Sequence, residues 1–85
     1  MELVLTAVFM ERFTNLILSD NSPYDGYIFN KERGRTYWRF ETADSFKIVR
    51  NNLLNYIYKT DPHSKILVIA LHPIENGVPI WDYSE

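Results

Sequence analysis

Residues 35–40, Arg-Thr-Tyr-Trp-Arg-Phe, alternate with a period of two and lead into an amphipathic helix. Strand side chains point to opposite faces in turn, so Trp38 and Phe40 share one face and Arg35, Tyr37 and Arg39 the other. The first face belongs in a core, and the second is the best candidate for a working surface. Downstream, Thr42 can accept a hydrogen bond from an orphan helix amide, and Asp44 places negative charge at the positive end. Phe46, Val49, Leu53, Tyr56 and Ile57 then recur as one apolar stripe, with Lys59 in the last turn and Pro62 beyond it. A helix is predicted over residues 43–59, with Ile48 exposed among Asn51, Asn52 and Asn55 on its far side. A one-faced strand followed by a one-striped helix predicts two packed layers.

The strand's partner lies just upstream. Tyr24-Asp25-Gly26-Tyr27-Ile28-Phe29-Asn30-Lys31 leads to Glu32-Arg33-Gly34, which reads as a three-residue hairpin loop with Gly34 left-handed. That register pairs Lys31 with Arg35, Asn30 with Thr36, Phe29 with Tyr37, Ile28 with Trp38 and Tyr27 with Arg39. Ile28 then joins Trp38 and Phe40 on the core face. Tyr27, Phe29 and Tyr37 occupy the other, flanked by Lys31, Arg35 and Arg39, with Arg33 at the turn. A slip of one residue would exchange the faces.

Residues 2–9 are apolar at nearly every position, as in a strand buried on both sides. From Phe9 the spacing becomes helical through Met10, Phe13, Leu16 and Ile17, which predicts a short helix over 10–19. A strand over 13–18, or one helix over 2–19, are the rivals. Ser19-Asp20-Asn21-Ser22-Pro23 ends the element. Near the C-terminus, residues 65–72 read as a strand apolar on both faces. Asn76-Gly77 signals a hairpin, and residues 78–83 a returning strand that Pro79 confines to an edge. The expected fold is an α+β two-layer sandwich with an antiparallel sheet, ferredoxin-like β-α-β-β-α-β, plus a C-terminal edge strand. A β-meander packed on one main helix is the alternative if 13–18 is a strand.

Eighty-five residues suit one domain, 1–85, and 46% hydrophobic with 15% aromatic residues is enough for a packed core. With no cysteine, disulfides, thiolate metal sites and cysteine nucleophiles drop out, which fits a reducing cytoplasm. The apolar N-terminus lacks a basic start and a small-residue cleavage site and is too short to span a bilayer, so no membrane partner is expected. Net charge is −2, but residues 31–50 hold six basic groups against three acidic ones, leaving −5 on the remainder. A local basic patch on an acidic body is a modest hint of an anionic partner, and a solvated hairpin tip beside a helix is the favoured explanation.

Chemistry is harder to find. His63 and His72 lie in different elements without a metal-ligand partner at standard spacing, and Asp61 near His63 belongs to an Asp-Pro-His-Ser turn. Three glycines form no phosphate loop. No catalytic residue, metal ligand or cofactor is therefore assigned. An enzyme with a spatially assembled site stands third among the functional readings.

Arg33-Gly34-Arg35-Thr36-Tyr37-Trp38-Arg39-Phe40, on a strand before a helix, resembles the RNP1 signature of RNA-recognition motifs. The resemblance implies Tyr37 as a stacking ring and Arg33 as a phosphate contact, with Trp38 and Phe40 facing the core. Arg35 stands where that pattern has an aromatic, Thr36 replaces its small residue, and the first strand offers no RNP2 aromatic. The candidate binding set is Tyr27, Phe29, Lys31, Arg33, Arg35, Tyr37 and Arg39. Aromatics and arginine are also what protein interfaces use. The expectation is a small non-catalytic binding or regulatory module, an inhibitor or adaptor, engaging another protein or a second copy of itself. Single-stranded RNA or DNA on the same face is the runner-up.

Overall fold

The computed structural model describes residues 1–83. Strand β1 (Glu2–Ala7) is followed by helix α1 (Met10–Ile17), strands β2 (Gly26–Glu32) and β3 (Arg35–Phe40), and helix α2 (Phe46–Thr60). A 3-10 helix (Pro62–Ile66), strand β4 (Ile69–Glu75) and a two-residue strand β5 (Val78–Pro79) complete the elements of the described residues. The sheet order is β2-β3-β1-β4-β5, every pair antiparallel. This is the ferredoxin-like β-α-β-β-α-β arrangement with a hairpin added beyond β4. Residues 10–17 are helical, which removes the meander and the single long helix.

Leu3, Leu5 and Ala7 of β1 face the helices, opposite Trp38 and Thr36 on one side and Pro73, Leu71 and Ile69 on the other. Phe13 and Ile17 of α1 and Val49, Leu53 and Ile57 of α2 close the core over them. The Trp38 and Phe40 rings stack at 5.5 Å with an interplanar angle of 2°. Trp38 is fully buried and its indole Nε1 donates to Thr36 Oγ1 at 2.7 Å, which keeps that polar atom satisfied in an apolar layer. Gly26 lies against this pair: a Cβ there would stand 2.4 Å from Phe40 Cδ1 and 2.7 Å from the Arg39 carbonyl oxygen.

Four expectations are corrected by the structure. The β2–β3 connection is a two-residue turn, Arg33-Gly34, with Glu32 opposite Arg35, rather than a three-residue loop. A bulge at Phe29 absorbs the offset, so Ile28 still pairs with Trp38 and Tyr27 with Arg39, while Asn30 and Lys31 move opposite Tyr37 and Thr36. The cap of α2 is Ser45, whose side chain accepts from Ile48 N at 3.5 Å. Thr42 instead closes a local turn, accepting from Asp44 N at 3.0 Å.

The strand expected at 65–72 begins only at Ile69. Pro62 opens the 3-10 helix, and buried Ser64 donates to the carbonyls of Ile57 and Asp61, satisfying the end of α2. The strand expected at 78–83 pairs for two residues. Ile80 N adds one more bond to the Pro73 carbonyl at 2.8 Å before the chain leaves the ladder. Asn76 and Gly77 both have positive φ, 52° and 77°, as the hairpin signal requires.

Candidate functional site: the outer face of the sheet

The face turned away from the helices is built by register. Glu2, Val4 and Thr6 of β1 stand opposite Arg39, Tyr37 and Arg35 of β3. On the other side Val4 and Thr6 stand opposite His72 and Ala70 of β4. The sheet curls, and the β4–β5 hairpin approaches β2 across this face. Phe29, Asn30, Glu32 and Tyr37 thereby share a cleft of about 280 Å³ with Ile74, Gly77 and Pro79. Val4, at the centre, is fully buried even though it points away from the helices.

The candidate residues separate into three groups. Tyr37 is only 8% exposed. Its ring meets Phe29 at 6.3 Å and its hydroxyl donates to Glu32 Oε1 at 3.0 Å. Burial, with Glu32 adding to it, raises its pKa above the ordinary tyrosine value. Covered in this way, Tyr37 is not available as the stacking ring that the RNP1 resemblance implied. The bulge explains the arrangement, because the extra residue lets Phe29 lie on Tyr37 while Asn30 takes the ladder position.

Arg35, Arg39, Tyr27 and Phe29 do share the solvent side of this face, and both arginines are already engaged. The Arg39 guanidinium pairs with Glu2, its directly opposite cross-strand neighbour, through Nε at 2.8 Å and also through Nη2. Glu2 thereby raises the pKa of Arg39. Arg39 Nη1 also donates to Tyr27 Oη at 3.3 Å, and its guanidinium carbon is 5.8 Å from the Phe29 ring centroid. Arg35 Nη1 is 3.6 Å from Glu32 Oε2, and its guanidinium lies 4.5 Å from the Trp81 ring centroid. Trp81 in turn meets His72 edge-on at 5.3 Å. Two arginines and two carboxylates thus leave the face with no net charge.

Lys31 and Arg33 are not part of this surface. Lys31 pairs with Thr36, which faces the helices, and so lies on the helix side beside Met10, Glu11 and Thr14. The shift is the bulge again: one extra residue moves Lys31 to the opposite face. Arg33 is exposed at the turn. Trp81 and His72 are the residues that strand logic passed over. Their signal was Pro79, which ends ladder pairing and leaves the next aromatic free to fold back.

Among the described residues, no group of three or more His, Cys, Asp or Glu side chains is placed to hold a metal ion, and no helix is long and apolar enough to cross a membrane. Compared with protein-family models, curated proteins and solved structures, the chain matches none.

Proposed function

We propose that this chain is a non-catalytic, regulatory binding module that engages another protein through the outer face of its sheet. The observation that carries the reading is internal neutralisation. Arg39 is matched by Glu2, and Arg35 by Glu32 and the Trp81 ring, while Tyr27, Phe29 and Trp81 remain about half exposed. A phosphate approaching this face would have to displace carboxylates already in place. A protein surface gains instead from three accessible rings bordered by satisfied polar groups, the pattern of interface anchors. An inhibitor or adaptor acting in a reducing compartment fits a cysteine-free chain of this size.

Single-strand binding is the second reading, favoured by one observation: Arg33 is exposed and has no carboxylate partner among the described residues. The test is capture from a native lysate on the immobilised chain, beside a Tyr27→Ala/Phe29→Ala variant, each with and without nuclease. A partner retained after nuclease and lost with the variant supports protein binding. Capture that disappears on nuclease treatment contradicts it.

A further inference from the structure

Antiparallel strands sort the charges of this chain by the end of the sheet that each segment reaches. The end where β1 finishes also holds the β2–β3 turn, the start of α1, the end of α2 and the 3-10 helix. Arg12, Lys31, Arg33, Arg35, Lys59 and Lys65 stand there against Glu11, Glu32 and Asp61. At the other end Glu2, Asp25, Glu41, Asp44 and Glu75 stand against Arg39 and Lys47. Within the basic end, Asp61 holds Arg12 and Glu32 holds Arg35. Arg33 and Lys65 are exposed and have no carboxylate partner among the described residues.

The most exposed aliphatic side chains lie at the same end. The β1–β4 ladder stops at Ala7 opposite Ile69, so Val8 and Val68 are the next residues beyond it on adjoining segments. They are 74% and 69% exposed, and Ile66, two residues before Val68, is 83% exposed. Val8 and Val68 line one open concavity of about 540 Å³ with Thr6, Arg33, Gly34 and Arg35. Thr6 Oγ1 is buried without a hydrogen-bond partner. Single exposed hydrophobic residues need no explanation, but a cluster lined by the unpaired Arg33, with Lys65 on the 3-10 helix at the same end of the sheet, marks an interaction surface.

We propose that this end of the sheet docks an acidic segment of a partner protein. Aliphatic side chains of the segment pack on Val8 and Val68, and its carboxylates pair with Arg33 and Lys65. The proposal rests on the protein-binding reading but centres on the end of the sheet beyond the three rings, meeting the outer face at Thr6 and Arg35. Charge complementarity selects the occupant: two free cations repel a basic segment and attract an acidic one. A nucleic acid would satisfy the cations and leave the aliphatic floor unused, since bases need rings to stack on and this concavity offers none. A second copy would bring its acidic end to this basic one, a head-to-tail contact that builds rings or filaments rather than a two-fold dimer.

The experiment is an amide-resonance titration of the isotope-labelled full chain with a short glutamate–leucine peptide, its lysine–leucine counterpart and oligothymidylate. The glutamate peptide is expected to shift the amides of Val8, Gly34 and Val68 at roughly tenfold lower concentration than the lysine peptide. The exposed double variant Arg33→Glu/Lys65→Glu is expected to reverse that preference. Equal response to both peptides overturns the proposal. So do shifts confined to Tyr27 and Phe29, which would leave the protein-binding reading standing. Shifts at the Val8–Val68 end with oligothymidylate overturn both. Salt-sensitive self-association in sedimentation, abolished by the double variant, assigns the surface to a second copy and overturns the acidic partner.

Discussion

Replacing Leu53 by alanine probes the contact between the two layers on which every face assignment depends. Leu53 is fully buried midway along α2, with Val49 and Ile57 one turn to either side, in the cluster that includes Leu3, Leu5 and Trp38. Removing its buried methyl-bearing carbons loses their transfer free energy and leaves a cavity that the surrounding side chains fill only in part. The combined cost is about 2–5 kcal/mol. Against the roughly 5–10 kcal/mol expected of so small a domain, that removes a large part of the total. The melting temperature should fall by about 10–30 °C. Urea unfolding followed by tryptophan fluorescence is the assay, because Trp38 shares the core and reports its exposure, with an unchanged slope marking an intact unfolding transition. Ile48→Ala on the same helix, half exposed, is the control and should stay within about 0.5 kcal/mol. A Leu53→Ala change as small as that of Ile48→Ala would refute the packing of α2 on the sheet.

Gly26→Ala should destabilise by about 1–3 kcal/mol, because the new Cβ meets the Phe40 ring and the Arg39 carbonyl; thermal melts that match wild type would contradict it. The Arg12 hydrogen bond lowers the Asp61 pKa below the ordinary carboxylate value, so the stability that this pair contributes is present above that value. It is lost as pH falls through the lowered pKa, and the stability gap between wild type and Arg12→Gln should close on acidification in urea titrations. Tyr37 has the opposite sign: its raised pKa gives stability that is full below the ordinary tyrosine value and is lost as pH rises through the raised one. Alkaline unfolding should therefore be steeper for wild type than for Tyr37→Phe.

The elements with strong periodicity were legible in the sequence. Alternation placed Trp38 and Phe40 inward, the stripe Val49–Leu53–Ile57 placed α2, and Asn76-Gly77 placed the last hairpin. Residues 65–72 were misread because an unbroken apolar run carries no period. Ile66 and Val68 look like strand residues until Ser64 is seen to close the end of α2. Thr42 and Ser45 are both capable caps three residues apart, and only the backbone path decides between them. At the candidate site, Arg35, Arg39, Tyr27 and Phe29 came together as expected. Two facts were hidden. One residue of bulge carried Lys31 to the other face, and the pairing of Arg39 with Glu2 depends on a neighbour 37 positions away.

The neutralisation of Arg35 and Arg39 within the chain is the centre of this account, and phosphate is the ligand that tests it. Mixed-sequence single-stranded oligonucleotides, titrated into the full chain at physiological salt, report through the fluorescence of Trp81, which lies against Arg35. With both arginines neutralised, that fluorescence should not change. Micromolar quenching that weakens steeply with salt and is removed by Arg35→Ala would contradict it.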